Sequence, residues 1–375
     1  MPMVDNITRG FGGPSRYIQG PGELKRIEEY SSIYGTNVFA LIDNFLHTSL
    51  DIELKSIYES TDSSITNEKF NGECTINEIE RIKKIIKNKN HDVLIGIGGG
   101  KTIDTAKAVA NAVDIPIIVA PTIASTDAPT SALSIIYTDD GKHDKVIFFK
   151  RNADMVLVDT AIIVKAPVRM LVSGMGDALS TYFEARANSE SDNANYIGKG
   201  YRRCKAALAI AKVCFDILME DGLEAKLSAE CGVCSEAFEN IVEANILLSG
   251  LGFENSGCAA AHGINDGLTI LPETKEYYHG EKVAFGVICQ LILENRPQLE
   301  IIQVLDFCLK IGLPVTLSDI GIKKIDTEMI MSIAAKTAEK GAISHAEPFK
   351  ITPEIVFTAI IAADAIGNYY KKVKV

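Results

Sequence analysis

Asp92-Val93-Leu94-Ile95-Gly96-Ile97-Gly98-Gly99-Gly100-Lys101-Thr102-Ile103-Asp104 runs an apolar, β-branched stretch into three consecutive glycines and then into a helical pattern. A short apolar run bounded by glycine reads as a strand buried on both faces, and Thr102 to Val113 reads as the helix that follows. Gly98, Gly99 and Gly100 let the backbone approach a ligand closely, and the helix start beyond them offers free N–H groups at the positive end of its dipole. A phosphate suits such a turn; the alternative is a tight turn whose glycines serve geometry alone. Two phosphate motifs nearly fit and both fail. G-x-G-x-x-G from Gly96 needs glycine where Lys101 stands, and G-x-x-x-x-G-K-[ST] ending at Gly100-Lys101-Thr102 needs glycine where Ile95 stands.

On either side of this turn, Asn37 to Asp43 reads as a buried strand, Ile76 to Lys89 as an amphipathic helix and Pro116 to Ala120 as a further strand. This β-α-β rhythm predicts a parallel sheet with helices on both faces. Ser134 to Tyr137 and Lys145 to Phe149, around Asp139-Asp140-Gly141, read as a hairpin, and Met155 to Asp159 as one more strand. Beyond Ala166-Pro167 strand-like runs vanish and helical patterns continue almost to the end. The predicted fold is therefore an α/β Rossmann-like domain over 1–166 and an all-α helical domain over 167–375, with a ligand site expected in the cleft between them. Asp43 ends its strand at the edge where an acidic side chain hydrogen-bonds ribose hydroxyls and repels a 2′-phosphate, favouring NAD over NADP; a helix N-cap is the equal alternative. The loop Pro121 to Ser131 follows another strand end and is dense in hydroxyls, as a crevice lining would be.

The bulk properties exclude several classes. With 47% hydrophobic and 23% charged residues the 375-residue chain has a globular composition. A net charge of −11 argues against nucleic acid or an anionic membrane as partner. The start, Met1-Pro2-Met3-Val4-Asp5-Asn6, lacks the basic-then-apolar pattern of a leader, and no run is long and apolar enough to span a bilayer, so a cytoplasmic protein is expected. Eight irregularly spaced cysteines fit reduced thiols. Cys231 and Cys234 are expected within a helix, on one apolar stripe with Leu227, Phe238, Ile241 and Val242, as core packing.

Two of the six histidines, His262 and His279, stand near the ends of apolar, glycine-punctuated helical segments. Neutral imidazole is the commonest metal ligand, so the pair suggests a bound ion; a hydrogen-bonded core histidine is the alternative for each alone.

Taken together, Gly98 to Lys107, the Pro121 to Ser134 loop, Gly176-Asp177-Ala178 and the two histidine segments resemble the metal-dependent, iron-containing alcohol dehydrogenase family, in particular its glycerol-oxidising members. The match runs in order from Tyr17-Ile18-Gln19-Gly20 to Gly312-Leu313-Pro314. The resemblance implies a dehydroquinate synthase-like architecture and a homo-oligomer. It implies NAD bound by Asp43, the turn from Gly98 and Gly99 through Gly100, Lys101, Thr102, Ile103 and Asp104, then Thr122, Ser125, Ser131, Leu133 and Tyr137. It makes Asp177, His262 and His279 metal ligands, and gives Asp127, with Asp177 and His262, to the substrate. Gly174-Met175-Gly176 is expected to interrupt a helix, so that Asp177 heads a new segment. The family's iron enzymes use a further histidine one turn after the aspartate; here Thr181 stands there, so one zinc per subunit is expected. The implied reaction is NAD-dependent oxidation of glycerol, or a similar small vicinal diol, to the hydroxyketone (dihydroxyacetone), assisted by zinc.

One residue departs from the pattern. Glycerol-oxidising members often carry a second histidine three residues after the first histidine ligand, where this chain has Asn265, which leaves 1,2-propanediol or a 2-hydroxycarboxylate open as substrate. A dehydroquinate synthase-like lyase needs basic residues around a substrate phosphate, and few lie near Asp177 or His262. A non-catalytic nucleotide-binding protein is the remaining alternative. His345 is expected to be structural.

Overall fold

A computed structural model describes residues 7–198 and 200–373 of the chain. Six strands form one wholly parallel sheet, in the spatial order Tyr17–Gly20, Met155–Asp159, Ile117–Pro121, Val93–Gly98, Asn37–Ile42, Ser64–Lys69. Val93–Gly98, Ile117–Pro121 and Met155–Asp159 are buried at every position. That is what a parallel sheet covered on both faces demands, and it explains why these strands read as unbroken apolar runs. The two edge strands escaped the sequence: Ser64-Ile65-Thr66-Asn67-Glu68-Lys69 is polar because its outer side faces solvent. Leu133–Tyr137 and His143–Phe148 pair antiparallel as a separate hairpin.

The chain passes from Asn37–Ile42 to the edge strand Ser64–Lys69 and then returns across Asn37–Ile42 to Val93–Gly98. Such a reversal leaves a crevice at the carboxyl ends of the two strands where the order switches, and Asp43 and Gly98 stand there. The helix after the glycines begins at Gly100, two residues earlier than expected, with Gly99 at its N-cap. Gly96 lets that helix lie close on the sheet, since a Cβ there would meet Ala106 Cβ at 2.5 Å.

By internal packing the chain forms two units. One comprises Gly12–Pro167 with Gly232–Cys234; the other comprises Val168–Cys231 and the chain from Ser235, with the segment ending at Phe11. Arg9–Gly10 pairs in parallel with Arg202–Arg203 within that second unit. The second unit is otherwise helical, built chiefly on Val168–Ser191, Lys205–Glu230, Ala260–Leu268, His279–Leu293, Gln298–Ile311, Thr327–Thr337 and Pro353–Val373. No described helix is long and apolar enough to cross a membrane.

Two sequence expectations are corrected here. Asp177 does not head a new segment: the helix runs unbroken from Val168 to Ser191. Glycine costs a helix roughly 1 kcal/mol relative to alanine, yet Gly176 is retained because a Cβ there would strike the Gly280 carbonyl of a crossing helix. Cys231 and Cys234 are not in one helix either. Lys205–Glu230 ends before them, Gly232 takes the left-handed conformation at φ 68°, and Ser235 caps a new helix by accepting from Phe238 N–H. Cys231 is exposed and Leu227 is half exposed, so the apolar stripe is real only for Phe238, Ile241 and Val242.

Candidate active site

Three helices of the helical unit each bring one side chain to a common point. Asp177 comes from the middle of Val168–Ser191, His262 from the first turn of Ala260–Leu268, and His279 opens His279–Leu293. Asp177 Oδ1 lies 3.5 Å from His262 Nε2 and 3.2 Å from His279 Nε2. This oxygen is fully buried and has no hydrogen-bond partner among the described residues. An uncompensated buried carboxylate oxygen is costly, and one oxygen with two imidazole nitrogens is a donor set that suits a transition-metal cation. The residues therefore fit a metal. Burial opposes ionisation of Asp177, but its electrostatic coupling to the two nearby imidazoles prevails and holds its carboxyl well below the ordinary range. Burial likewise opposes protonation of His262, yet Cys258, Glu184 and Asp177 raise its pKa well above the usual imidazole value. A site that attracts a proton so strongly attracts other cations for the same reason.

The first turn of Ala260–Leu268 sits in a socket of side-chain oxygens. Glu184 Oε1 accepts from Ala259 N at 2.8 Å and His262 N at 2.9 Å; Glu347 Oε1 accepts from Ala260 N at 3.1 Å, and Gln290 Oε1 from Ala261 N at 3.0 Å. The free N–H groups of a helix start are thus all met by neighbouring segments, which fixes where His262 stands. Glu184 Oε2 also lies 2.7 Å from His262 Nδ1. With Nδ1–H donating there, the Nε2 lone pair is left for the Asp177 side. At the other histidine, Tyr278 N donates to Glu281 Oε2 at 2.8 Å, and Arg169 grips both Glu281 oxygens at 2.7 and 2.8 Å. Sequence reasoning missed Glu184. The available signal was its spacing of seven from Asp177, two turns along one face of a helix buried nearly all round, where an acid needs a partner.

Thr181, one turn after Asp177, is buried with its hydroxyl 2.9 Å from Ser249 Oγ. Asn265, one turn after His262, is buried; its amide nitrogen approaches Asp266 Oδ1 at 3.4 Å while its oxygen finds no partner among the described residues. His345 Nε2 lies 3.3 Å from the Ala338 carbonyl and 3.1 Å from that of Glu339, closing a turn away from the triad.

In the α/β unit, Asp43 is fastened to the glycine turn. Its Oδ2 accepts from Thr102 Oγ1 at 3.3 Å, its Oδ1 from Phe45 N at 2.9 Å, and its own N–H donates to Ile97 O at 2.8 Å. A Cβ on Gly98 would meet Thr102 Oγ1 at 2.7 Å and Asp43 Cβ at 2.9 Å, so only glycine permits this approach. Thr122 N donates to Gly98 O at 3.1 Å, which joins the next strand end to the turn. Gly99 and Gly100 open the helix, and Lys101 is exposed, ion-paired with Glu73 at 2.6 Å and 5.1 Å from the centre of the Tyr137 ring.

Other expected contact residues point inward. Ile103 is core, and Asp104 is buried against Lys107 at 3.0 Å and accepts from Ile135 N at 3.0 Å, tying the helix to the hairpin. Their side chains are committed to packing, so whatever these two positions give a ligand comes from the backbone or from shape. Ser131 is buried with its hydroxyl 3.4 Å from Ala128 O, while Lys107 Nζ clamps the Ala128 and Ser131 carbonyls at 2.6 and 3.2 Å. This clamp shapes the loop that carries Ser125 and Asp127, both half-buried, with the Asp127 carbonyl accepting from Thr130 N at 3.1 Å. Leu133 and Tyr137 mark the two ends of the first hairpin strand.

The family profile described as iron-containing alcohol dehydrogenase matches residues 14–160. A glycerol dehydrogenase of Citrobacter freundii is 46% identical over 357 residues, covering 95% of this chain and 97% of its own. The chain belongs to the iron-containing alcohol dehydrogenase family. A second glycerol dehydrogenase, from Thermotoga maritima, is 46% identical over 96% of this chain and 97% of its own. The solved structure of glycerol dehydrogenase from Schizosaccharomyces pombe matches with a TM-score of 0.91 at 36% identity, covering 100% of this chain and 94% of that one. As a family member the protein is an oxidoreductase, and its parallel-sheet and helical units are those of the family fold.

Proposed function

We propose that the protein oxidises glycerol, or a closely similar vicinal diol, to the hydroxyketone with NAD, at a zinc ion held by Asp177, His262 and His279. The observation that carries this is the convergence of two imidazole nitrogens on a buried carboxylate oxygen that has no other partner, in a chain 46% identical to enzymes named glycerol dehydrogenase. Zinc rather than iron is favoured because the Thr181 hydroxyl is paired with Ser249 and the triad offers three donors, the number of protein ligands that a catalytic zinc would use. Zinc bound there supplies Lewis acidity, which makes an adjacent alcohol hydroxyl easier to deprotonate. NAD supplies the hydride acceptor.

The chain's own residues do the positioning. Glu184 fixes the His262 tautomer, and Arg169 fixes the Glu281 cap behind His279. Asp127 orients the substrate from its loop. Asp43 meets the ribose hydroxyls and, being anionic, turns away a 2′-phosphate, so NAD is used in preference to NADP. The glycine turn and the helix start behind it receive the pyrophosphate.

The test is steady-state NADH formation with a panel of diols and hydroxy acids, using zinc-loaded protein, chelator-stripped protein and His262→Ala. Glycerol-dependent turnover should vanish in the latter two, return to the stripped protein on adding zinc, and leave the far-ultraviolet circular dichroism unchanged. Turnover by protein stripped of metal would refute the mechanism, and turnover confined to hydroxy acids would replace the substrate.

A further inference from the structure

A second group of metal-binding atoms adjoins the triad on the far side of the His262 ring. Glu184, Cys258 and His262 each bring one such atom to within 4.8 Å of the other two. Glu184 is 1% exposed and Cys258 9%, while the His262 side chain retains 18%. The proposed reaction uses His262 through Nε2 and Glu184 as the partner of Nδ1; Cys258 has no part in it.

We propose that Glu184, Cys258 and His262 Nδ1 form a second, inhibitory cation position selective for soft divalent ions of the cadmium and zinc class. The 2.7 Å contact between His262 Nδ1 and Glu184 Oε2 holds one proton, and a cation can replace it. When an ion enters the zinc-loaded protein, the Nδ1 proton and the Cys258 thiol proton leave to solvent, His262 becomes an imidazolate shared between the two cations, and Nδ1, Sγ and a Glu184 oxygen donate electron pairs to the second one. The incoming ion brings two positive charges and the two departing protons carry two away, so the net charge of the buried place is unchanged. The sulfur donor sets the selectivity: magnesium and calcium prefer all-oxygen shells, whereas thiolate with imidazole suits zinc and cadmium. Because His262 belongs to both groups, filling this position removes the hydrogen bond that aims Nε2 at the triad. The inhibitory consequence rests on the proposed catalytic triad; the existence of the position does not.

Cadmium is the probe. Zinc-loaded protein carrying Cys231→Ser and Cys234→Ser, which removes the Cys231-Cys234 thiol pair, is titrated with cadmium while sulfur-to-cadmium charge-transfer absorption and glycerol-dependent turnover are followed. A saturable band with parallel loss of turnover is expected. Adding Cys258→Ser should abolish the band and raise the cadmium needed for half-inhibition roughly 10–100-fold. X-ray absorption at the cadmium edge, on the protein that retains Cys258, should find sulfur among the nearest atoms, a result that does not depend on how well the Cys258 variant folds. A band that persists without Cys258, or a cadmium shell of nitrogen and oxygen alone, would overturn the site. A Cys258-dependent band with undiminished turnover would leave the cation position standing and refute its inhibitory role.

Discussion

At the scale of single residues, His262 is constrained through both its backbone and its ring, and one carboxylate, Glu184, supplies both constraints. Replacing Glu184 by glutamine keeps the size but takes away the charge and one acceptor oxygen. Zinc affinity should fall roughly 10–100-fold with the helical content intact, as measured by competition with a chromophoric chelator; unchanged affinity would show that Glu184 has no bearing on the metal. The socket contains a second informative acid. Burial, reinforced by the charge of Glu294, raises the Glu347 pKa well above the ordinary carboxylate range. In the unfolded chain it ionises at the ordinary value. Its contribution is therefore complete below that value and is lost as pH climbs toward the raised folded pKa. Glu347→Gln retains an acceptor for Ala260 N–H and cannot ionise. Urea unfolding should find its stability relative to the parent increasing as pH rises above the ordinary carboxylate range; a pH-independent difference would mean that the Glu347 pKa is the same in the folded and unfolded chain.

At the scale of elements, the crossing of Val168–Ser191 and His279–Leu293 decides whether the triad can assemble. A Cβ on Gly280 would collide with the Ser173 carbonyl and lie 2.8 Å from Asp177 N, so the two helices meet backbone to backbone. Gly280→Ala should cost roughly 1–3 kcal/mol or more and, because His279 adjoins Gly280, should also lower bound zinc per chain. Calorimetry with metal analysis reads both, and a protein of unchanged stability and metal content would show that the crossing tolerates the methyl group. This crossing also marks where sequence stopped being legible. Interior strands such as Val93–Gly98 could be read because double burial leaves an apolar run bounded by glycine, and the helical character of the chain beyond Pro167 followed from its periodicity. The helix break at Gly174 to Asp177 was misjudged because local propensity favours a break and the tertiary packing that overrides it leaves no local mark. The Cys231 to Ser235 junction had the opposite fault: Gly232 and Ser235 announced a stop and a new cap, but the apolar spacing around them imitated one helix. The edge strand Ser64–Lys69 stayed hidden because its solvent-facing side makes it polar, and Glu184 because the histidine that partners it lies 78 residues away.

At the scale of the whole molecule, the sheet joins the earliest and latest parts of the α/β unit. Tyr17–Gly20 is an edge strand whose sole sheet neighbour among the described residues is Met155–Asp159. Contacts of such wide separation form late, because loop closure precedes their reward. In refolding followed by pulsed hydrogen exchange, amides of Tyr17–Gly20 should gain protection together with those of Met155–Asp159 and after those of Val93–Gly98; earlier protection would mean that this edge has another partner on the way. The same pairing sets a clock during synthesis. Val156, the partner of Tyr17, follows it by about 140 residues, which at about 5–20 residues per second takes about 7–28 seconds to translate. Through that interval the strand Tyr17–Gly20 waits for the neighbour that pairs with it in the folded sheet, so its backbone N–H and C=O groups on that side stay with water until the last strand of the sheet is made.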